Sequence, residues 1–374
     1  MTARRVLESL QQMGPLSRAD LTRETGISAP TVSKVVAELL ETGLLEEGEA
    51  PDNTLGRPGR RIQLARQHAR VLGVVLDPVT CYVVRSTLEG DIDSDNIVSF
   101  GTPASYQSLV ERISQAVSHL ANEPGKQILG IGISTPGLID EEQDRCAFSP
   151  NLHVINNQNP AADLEHLTGF TAVCLQEPRA LCIAERLYGN ARGMDDFAAM
   201  DITTGLGLGV FSHGDLLRGH NGLACEIGHV TIDPSGRLCG CGNHGCLETL
   251  ATDSALAAMI AERTEIHLPI EEIIDQIRSG ALQAQTELNR VCEYLSIAMS
   301  AAINVFNPAA LFVHGKFPTI SDAVFEQILR LVRRRTLDPA FEKCDIRLAV
   351  TDKKQGAVAA IMHHLTCAAG PRVT

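Results

Sequence analysis

The residues whose types and spacing can do chemistry are concentrated between positions 229 and 246. His229, Cys239, Cys241 and Cys246 offer one imidazole and three thiolates, with the cysteines spaced Cys-x-Cys-x4-Cys. That is the ligand set of a closed, tetrahedral structural zinc site, which leaves no open position for activating water. Gly236, Gly240, Gly242 and Gly245 are interspersed, so the backbone can fold tightly enough for the donors to converge. His244 competes as a ligand but lies inside the loop, where geometry disfavours it alongside Cys241 and Cys246. The plainer alternative is a cysteine-rich turn of reduced thiols. The expectation is one structural zinc ion per chain. The other eight of the 11 cysteines, Cys81, Cys174 and Cys292 among them, are scattered through mostly apolar surroundings. With no export signal read at the N-terminus, free thiols are expected instead of a disulfide framework.

A second concentration is electrostatic. Residues 57–70 hold Arg57, Arg60, Arg61, Arg66 and Arg70 and no acid. The net charge of the whole chain is −13, yet residues 1–70 are near neutral, with ten basic and nine acidic side chains. A small Arg-rich patch joined to an acidic body suggests one module that faces polyanions and another that does not. Trp is absent and aromatics make up 4%, which weakens any case for stacking single-stranded bases. At 374 residues the chain suggests two or three domains. No apolar run approaches the roughly 20 residues that span a bilayer, so a cytoplasmic protein without a membrane partner is expected.

The elements that must position the Arg patch read as a helix-turn-helix. Val6, Leu7, Leu10 and Met13 lie on one stripe of a helix over 4–13, ended by Gly14-Pro15. Ser17 and Asp20 form a capping-box variant that starts a short helix, Arg18–Thr25, and Gly26 supplies the turn. Ser28 caps a third helix running to about Thr42, which buries Val32, Val35, Val36, Leu39 and Leu40. Its opposite face offers Ser28, Thr31, Ser33 and Lys34 to base edges in a major groove. Two short strands, 44–49 and 61–64, flank a turn-rich loop and make a wing. Arg57, between Gly56 and Pro58, suits a narrow minor groove, with Arg60 and Arg61 beside it. The bland alternative is a three-helix interaction domain with a solvated loop. The combined signals favour double-stranded operator DNA as partner.

From Val71 onward the texture alternates between strands and helices. Strands are expected at 71–84, 128–134, 172–175, 197–202 and 310–314, and helices at 109–121, 179–188, 254–264 and 285–305. Such alternation implies α/β sheets covered by helices.

On these motifs the chain resembles the ROK family (repressors, open reading frames, kinases), and more closely its repressor branch. The carriers are the helix-turn-helix, Gly56-Arg57-Pro58, Thr135-Pro136-Gly137, Ser149-Pro150-Asn151-Leu152, Thr204–Gly209 and the His/Cys loop. The resemblance covers nearly the whole length. It implies a winged helix-turn-helix over 1–66 and two actin-like (ribonuclease-H-like) α/β lobes over 67–185 and 186–355, the second carrying the zinc loop. It also implies a C-terminal helix within 356–374, about Gly356–Cys367, that returns to the first lobe. A sugar-like effector would contact Gly137, Asn151, Glu226, His229 and Glu248, with His229 giving one ring nitrogen to zinc and the other to a hydroxyl.

Departures from the kinase members bear on activity. Their Asp-x-Gly-Gly-Thr turn corresponds to Val75-Leu76-Asp77-Pro78-Val79 here, where both glycines are gone, proline removes an amide donor and aspartate brings negative charge. The late Gly-Gly reads His314-Gly315, and the Asn-Asp catalytic pair aligns with Gln176-Glu177, each one methylene longer. Thr204–Gly209 is retained, either as a phosphate loop or as a tight turn. Gln176 and Glu177 are assigned to the sugar site, with simple capping of the following helix as the alternative. No catalytic residue is assigned. The reading is a sugar-responsive repressor of carbohydrate-metabolism genes acting as a homodimer on a pseudo-palindromic operator. Open alternatives are tetramers, an activator, a regulator captured by a partner protein, and an active sugar kinase fused to a DNA-binding module.

Overall fold

The computed structural model describes residues 2–48 and 60–368. The wing segment with Arg57, and Glu49 at the end of the first expected wing strand, lie outside the described residues.

Thr2–Met13 (α1) buries Val6, Leu7 and Leu10, but Met13, expected on the same stripe, is 53% exposed. Gly14 ends the helix at φ 76°, its amide donating to the Leu10 carbonyl at 3.0 Å. Arg18–Thr25 (α2) opens with a complete capping box: Asp20 N donates to Ser17 Oγ at 3.1 Å and Ser17 N to Asp20 Oδ2 at 3.2 Å. Gly26, at φ 64°, turns the chain into Ala29–Glu41 (α3). Val32, Val35, Val36 and Leu39 are buried there, whereas Leu40 is half-buried. Ser28 occupies the N-cap position without capping, contrary to expectation; its hydroxyl meets that of Thr31 at 2.8 Å. Pro30 has no amide to offer, which removes one of the two usual targets of a capping side chain. Leu45–Gly48 (β1) and Arg61–Leu64 (β2) pair antiparallel, Leu45 opposite Leu64, and Leu16 makes an isolated antiparallel bridge to Ile62.

By compactness the chain forms two units, one of residues 1–135, 159–175 and 353–374, the other of 136–158 and 176–352. In chain order, the first unit continues with Ala69–Val75 (β3), Thr80–Ser86 (β4), Ile97–Gly101 (β5), Tyr106–Ala121 (α4) and Gln127–Thr135 (β6). The second begins with the hairpin Leu138–Asp140 (β7) and Arg145–Phe148 (β8). Pro160–Thr168 (α5) and Ala172–Gln176 (β9) complete the first sheet, ordered β5-β4-β3-β6-β9. β3 is an almost continuous apolar run buried along its length, as strands covered by helices are.

The second unit then runs through Glu177–Leu187 (α6), Phe197–Asp201 (β10), Gly207–Ser212 (β11) and Asp215–Leu216 (β12). Helices Asp253–Thr264 (α7), Ile270–Arg278 (α8) and Gln285–Phe306 (α9) lead to Ala310–His314 (β13), Asp322–Arg335 (α10), Asp338–Phe341 (α11) and Asp345–Leu348 (β14). Its sheet is ordered β12-β11-β10-β13-β14, with β10–β13 and β13–β14 parallel. Leu208, Val210, Leu311 and Val313 join apolar faces of α7, α9 and α10 in one core. Phe197 and Phe211 stack with ring centroids 4.9 Å apart. α6 lies on β10 and β11.

Lys353–Ala368 (α12) belongs to the first unit, where it lies on β3 and β6 and reaches α1. A side chain at Gly132 of β6 would come 1.9 Å from the Ala357 carbonyl, so glycine is what admits the helix so close. The mixed α/β architecture with an N-terminal helix-turn-helix agrees with the sequence reading.

Candidate metal centre and nucleic-acid interface

The His/Cys loop closes on itself in the second unit. His229 ends the 3-10 turn Ile227–His229, and Cys246 opens another, Leu247–Thr249. One ligand atom from each of His229, Cys239, Cys241 and Cys246 falls within 4.8 Å of all the others. Cys241 Sγ and Cys246 Sγ are 3.7 Å apart, and Cys239 Sγ is 3.6 Å from His229 Nδ1. Tetrahedral geometry with metal–sulfur bonds of about 2.3 Å places two sulfurs about 3.7 Å apart, which is the spacing of the Cys241–Cys246 pair, so the cluster could hold a metal ion. Burial pushes the Cys239 thiol well up, and the neighbouring Glu248 carboxylate adds to that. A divalent cation among the four donors reverses this preference, because it stabilises thiolates. Three soft sulfurs and one imidazole are the chemistry zinc favours.

Why the loop closes is steric. A side chain at Gly240 would meet the Pro150 carbonyl at 2.4 Å, so glycine there brings the cysteine loop against the segment bearing Asn151. Gly245, at φ 64°, packs directly on the Asp233 backbone.

Polar groups from four segments meet beside this centre. Gln176 Nε2 donates to Glu226 Oε1 at 3.1 Å. Glu226 Oε2 is 3.9 Å from His229 Nε2, while His229 Nδ1 faces Cys239 and lies 3.9 Å from Glu248 Oε1. The two imidazole nitrogens therefore point to different tasks, Nδ1 to the sulfurs and Nε2 to the carboxylate. Glu248 Oε1 also touches Cys239 Sγ at 3.1 Å, and Oε2 accepts the Leu206 amide at 3.3 Å. A Cβ on Gly205 would stand 2.7 Å from Glu248 Oε2 and 3.1 Å from Asn151 Nδ2, so Asn151 and Glu248 border the same small space. Burial pushes the Glu226 carboxyl above its ordinary range, and Gln176 and His229 pull it partly back. Gln176 stands at the N-cap of α6 but makes no capping bond; its amide is spent on Glu226. Glu177, the first residue of α6, is buried. Gly137 is buried two residues after Thr135, and a Cβ there would meet Cys146 Sγ at 2.5 Å; its glycine is required by packing.

Sequence reasoning missed Arg179. It is 3% exposed and donates to Glu141 Oε1 at 3.2 Å, the Arg218 carbonyl at 3.1 Å and the Gly222 carbonyl at 2.7 Å. It thereby fixes the loop that leads to Glu226. Burial lowers its pKa, with Glu141 opposing. Only the fold reveals it, since its partners lie about 40 residues away on either side.

The turns that resemble nucleotide loops are occupied by their own chain. Asp77 Oδ1 accepts the Val79 and Thr80 amides at 2.9 and 3.4 Å, and Asp77 Oδ2 is 3.6 Å from Lys353 Nζ. His314 Nδ1 lies 2.8 Å from Asp201 Oδ1, and a side chain at Gly315 would strike Ile202. In Thr204–Gly209, a Cβ at Gly207 would come 2.1 Å from Pro178 Cγ, and one at Gly209 2.4 Å from the Pro178 carbonyl. These two glycines let α6 lie on β11.

On the helix-turn-helix, Ser28, Thr31, Ser33 and Lys34 are all exposed, opposite the buried valines of α3. Lys34 Nζ is 3.9 Å from Glu38. Arg60 is exposed and pairs with Glu47, which also meets Arg18 at 3.4 Å; Arg61 Nη1 reaches the Pro15 carbonyl at 3.3 Å. Such exposed pairs cost little to exchange for phosphates.

Comparisons with known proteins agree with both regions. The ROK family model matches residues 80–365, and the MarR family model residues 1–53. The DNA-binding transcriptional dual regulator NagC of Escherichia coli K12 is 25% identical over 356 residues, covering 88% of this chain and 85% of that protein. The xylose repressor of Bacillus subtilis 168 is 28% identical over 315 residues, 83% and 80% covered. Among solved structures, a ROK family transcriptional regulator described as a homolog of the E. coli MLC protein superposes with TM-score 0.82 at 24% identity, covering 97% of this chain and 96% of that one.

Proposed function

The chain belongs to the ROK family, with a MarR-type winged helix at its N-terminus, and on that premise we propose that it is a sugar-responsive, DNA-binding transcriptional repressor of carbohydrate-metabolism genes whose kinase-like domain does not catalyse. The observation that carries the reading is the contrast between two places. Asn151, Gln176, Glu226, His229 and Glu248 present donors and acceptors around one small space, as recognition of sugar hydroxyls requires. At Asp77, the amides a nucleotide phosphate would need are already taken by the aspartate, which is itself negatively charged. The names of the relatives, a dual regulator and a xylose repressor, point the same way.

In this reading zinc is held by His229, Cys239, Cys241 and Cys246, and its contribution is architectural. His229 Nδ1 is committed to the metal, so its tautomer is fixed and Nε2–H is a hydrogen-bond donor. Glu226 and Glu248 accept from hydroxyls, and Gln176, held by Glu226, offers its carbonyl oxygen. Glu177 and Gly137 complete the proposed wall of the site. Ser28, Thr31, Ser33 and Lys34 read the major groove, and Arg57, Arg60 and Arg61 neutralise phosphates or enter the adjacent minor groove. A homodimer places two such modules on a pseudo-palindromic operator in the cytoplasm. Release from DNA requires the sugar to bind the two conformations of the protein unequally; tight binding by itself shifts nothing.

The test is a titration of operator affinity with unphosphorylated and phosphorylated hexoses and pentoses, run beside a coupled ADP-release assay. The reading expects at least one sugar to change operator affinity and none to release ADP. Turnover with any sugar would sink it in favour of a kinase fused to a DNA-binding module. Arg57→Ala is expected to weaken operator binding and reduce the salt slope by about 1. Unchanged binding would remove the wing from the interface.

A further inference from the structure

α6 carries a polar residue at each end. Gln176 stands at its start and holds Glu226. Nine residues further, about 13 Å along the axis, is Glu185, 1% exposed. Glu185 Oε1 accepts the Val350 amide at 2.9 Å, the Thr351 amide at 2.9 Å and the Thr351 hydroxyl at 2.8 Å. Oε2 accepts the Asn190 amide at 3.0 Å, and a Cβ on Gly189 would come 2.1 Å from it, so the carboxylate is sealed from any further partner. Such a group is expensive to bury and tolerable only while all its donors stay in place. It therefore works as a stiff clamp on residues 350–351.

Those residues lie just before α12. After the single residue Asp352, Lys353 sits 3.6 Å from Asp77, and α12 then lies against β3 and β6 with the backbone approach that Gly132 permits. The same helix reaches α1 of the DNA-binding module. One continuous stretch of chain thus leaves a clamp on the helix that bears the ligand cluster and ends in a helix touching the reading head.

We infer that Glu185 is a positioning residue that couples the polar cluster at the start of α6 to the helix-turn-helix, by holding Val350-Thr351 and so setting where α12 begins. The identity of the two ends rests on the proposed function. The clamp itself gives a physical link, a rigid helix with a short tether, of the kind coupling between distant sites needs.

The experiment uses full-length, zinc-loaded protein and a duplex selected by the wild-type protein from a random pool. Operator Kd is measured with and without xylose, glucose, N-acetylglucosamine and N-acetylglucosamine 6-phosphate, for the wild type, Glu185→Gln and a variant with one glycine inserted after Asp352. Gln exchanges one accepting oxygen for an NH2 that must face either the Asn190 amide or the three donors from Val350 and Thr351, so a clamp contact is lost either way; the insertion leaves every clamp contact intact and loosens only the tether. The sugar-induced change in operator Kd, of about 5- to 150-fold for typical coupling, is expected to fall below about threefold in both variants, while sugar affinity without DNA stays within about threefold of wild type. A merely structural Glu185 would lower the melting temperature and leave that ratio intact, and a ratio preserved in either folded variant overturns the inference. If no sugar moves even the wild type, the proposed function fails on its own account, and hydrogen exchange decides the clamp. Glu185→Gln must then increase exchange at residues 349–356 and in α1, and α1 exchange at wild-type levels overturns it.

Discussion

The His229 centre and the Asp77 turn are both assembled from polar residues at chain reversals, yet they end in opposite states. At Asp77 the turn is closed on itself: the carboxylate takes its own amides, and Lys353 stands beside it. At His229 the polar groups come from segments up to about 100 residues apart, and they are oriented by a metal-ready cage with hydrogen-bonding capacity left over. Residue type is similar in the two places. What separates a binding site from a turn is whether the local backbone can satisfy the polar atoms by itself, since only unspent donors and acceptors are available to a ligand. Thr204–Gly209 stands between them. It looks like a phosphate loop, but Gly207 and Gly209 are glycines because α6 lies against them.

The largest expected effect comes from the cage. Chelating the metal, or Cys239→Ser, should unravel the 229–246 loop and abolish any sugar response, because structural zinc typically contributes on the order of 10 kcal/mol to its fold. Stoichiometric metal analysis and thermal melting check this, and an unaltered melt in excess chelator would reduce the cage to a cluster of thiols. Next is Gly209→Ala, which drives a methyl group into the Pro178 carbonyl and Cys182. A loss of about 1–3 kcal/mol in denaturant unfolding is expected. Equal stability would return this loop to the ligand-binding column. Glu226→Ala should weaken effector binding by about 10- to 100-fold, the worth of a charged hydrogen-bond partner, with operator affinity in the absence of sugar unchanged. Calorimetry measures the first quantity and fluorescence anisotropy the second. The smallest effect belongs to the Asp77 turn. Pro78→Gly with Val79→Gly puts two glycines into this turn and should cost about 1 kcal/mol or less per site in stability. No ADP release is expected, because Asp77 still occupies the amides, and a gain of turnover would erase the distinction between the two regions.

Much of the helix-turn-helix was legible in the residues, because its signals are local. The Ser17/Asp20 box, the turn at Gly26 and the valine stripe of α3 each depend on neighbours within about one or two helical turns. Ser28 failed as a cap for an equally local reason, the proline two positions on. Helices α5, α8 and α10 lie outside the elements expected from the sequence, although α8 buries Ile273 and Ile274 and α10 buries Val324, Ile328, Leu331 and Val332 at helical spacing. In the site, the clustering of His229, Cys239, Cys241 and Cys246 was readable from spacing, whereas the partner of Gln176, the staple made by Arg179 and the clamp at Glu185 were not.

The amino-acid order alone determined the donor set of the cage, the α/β alternation and the exposed polar face of α3, since each is written in spacings that a loop or helix converts directly into geometry. Tertiary structure alone decided which way His229 presents its two nitrogens, why Gly207 and Gly209 are glycines, and which buried charges hold α6 to its surroundings. The buried charges act between residues 38 to 166 positions apart, and Gly207 and Gly209 meet Pro178 across about 30 residues; no local propensity encodes contacts of that kind.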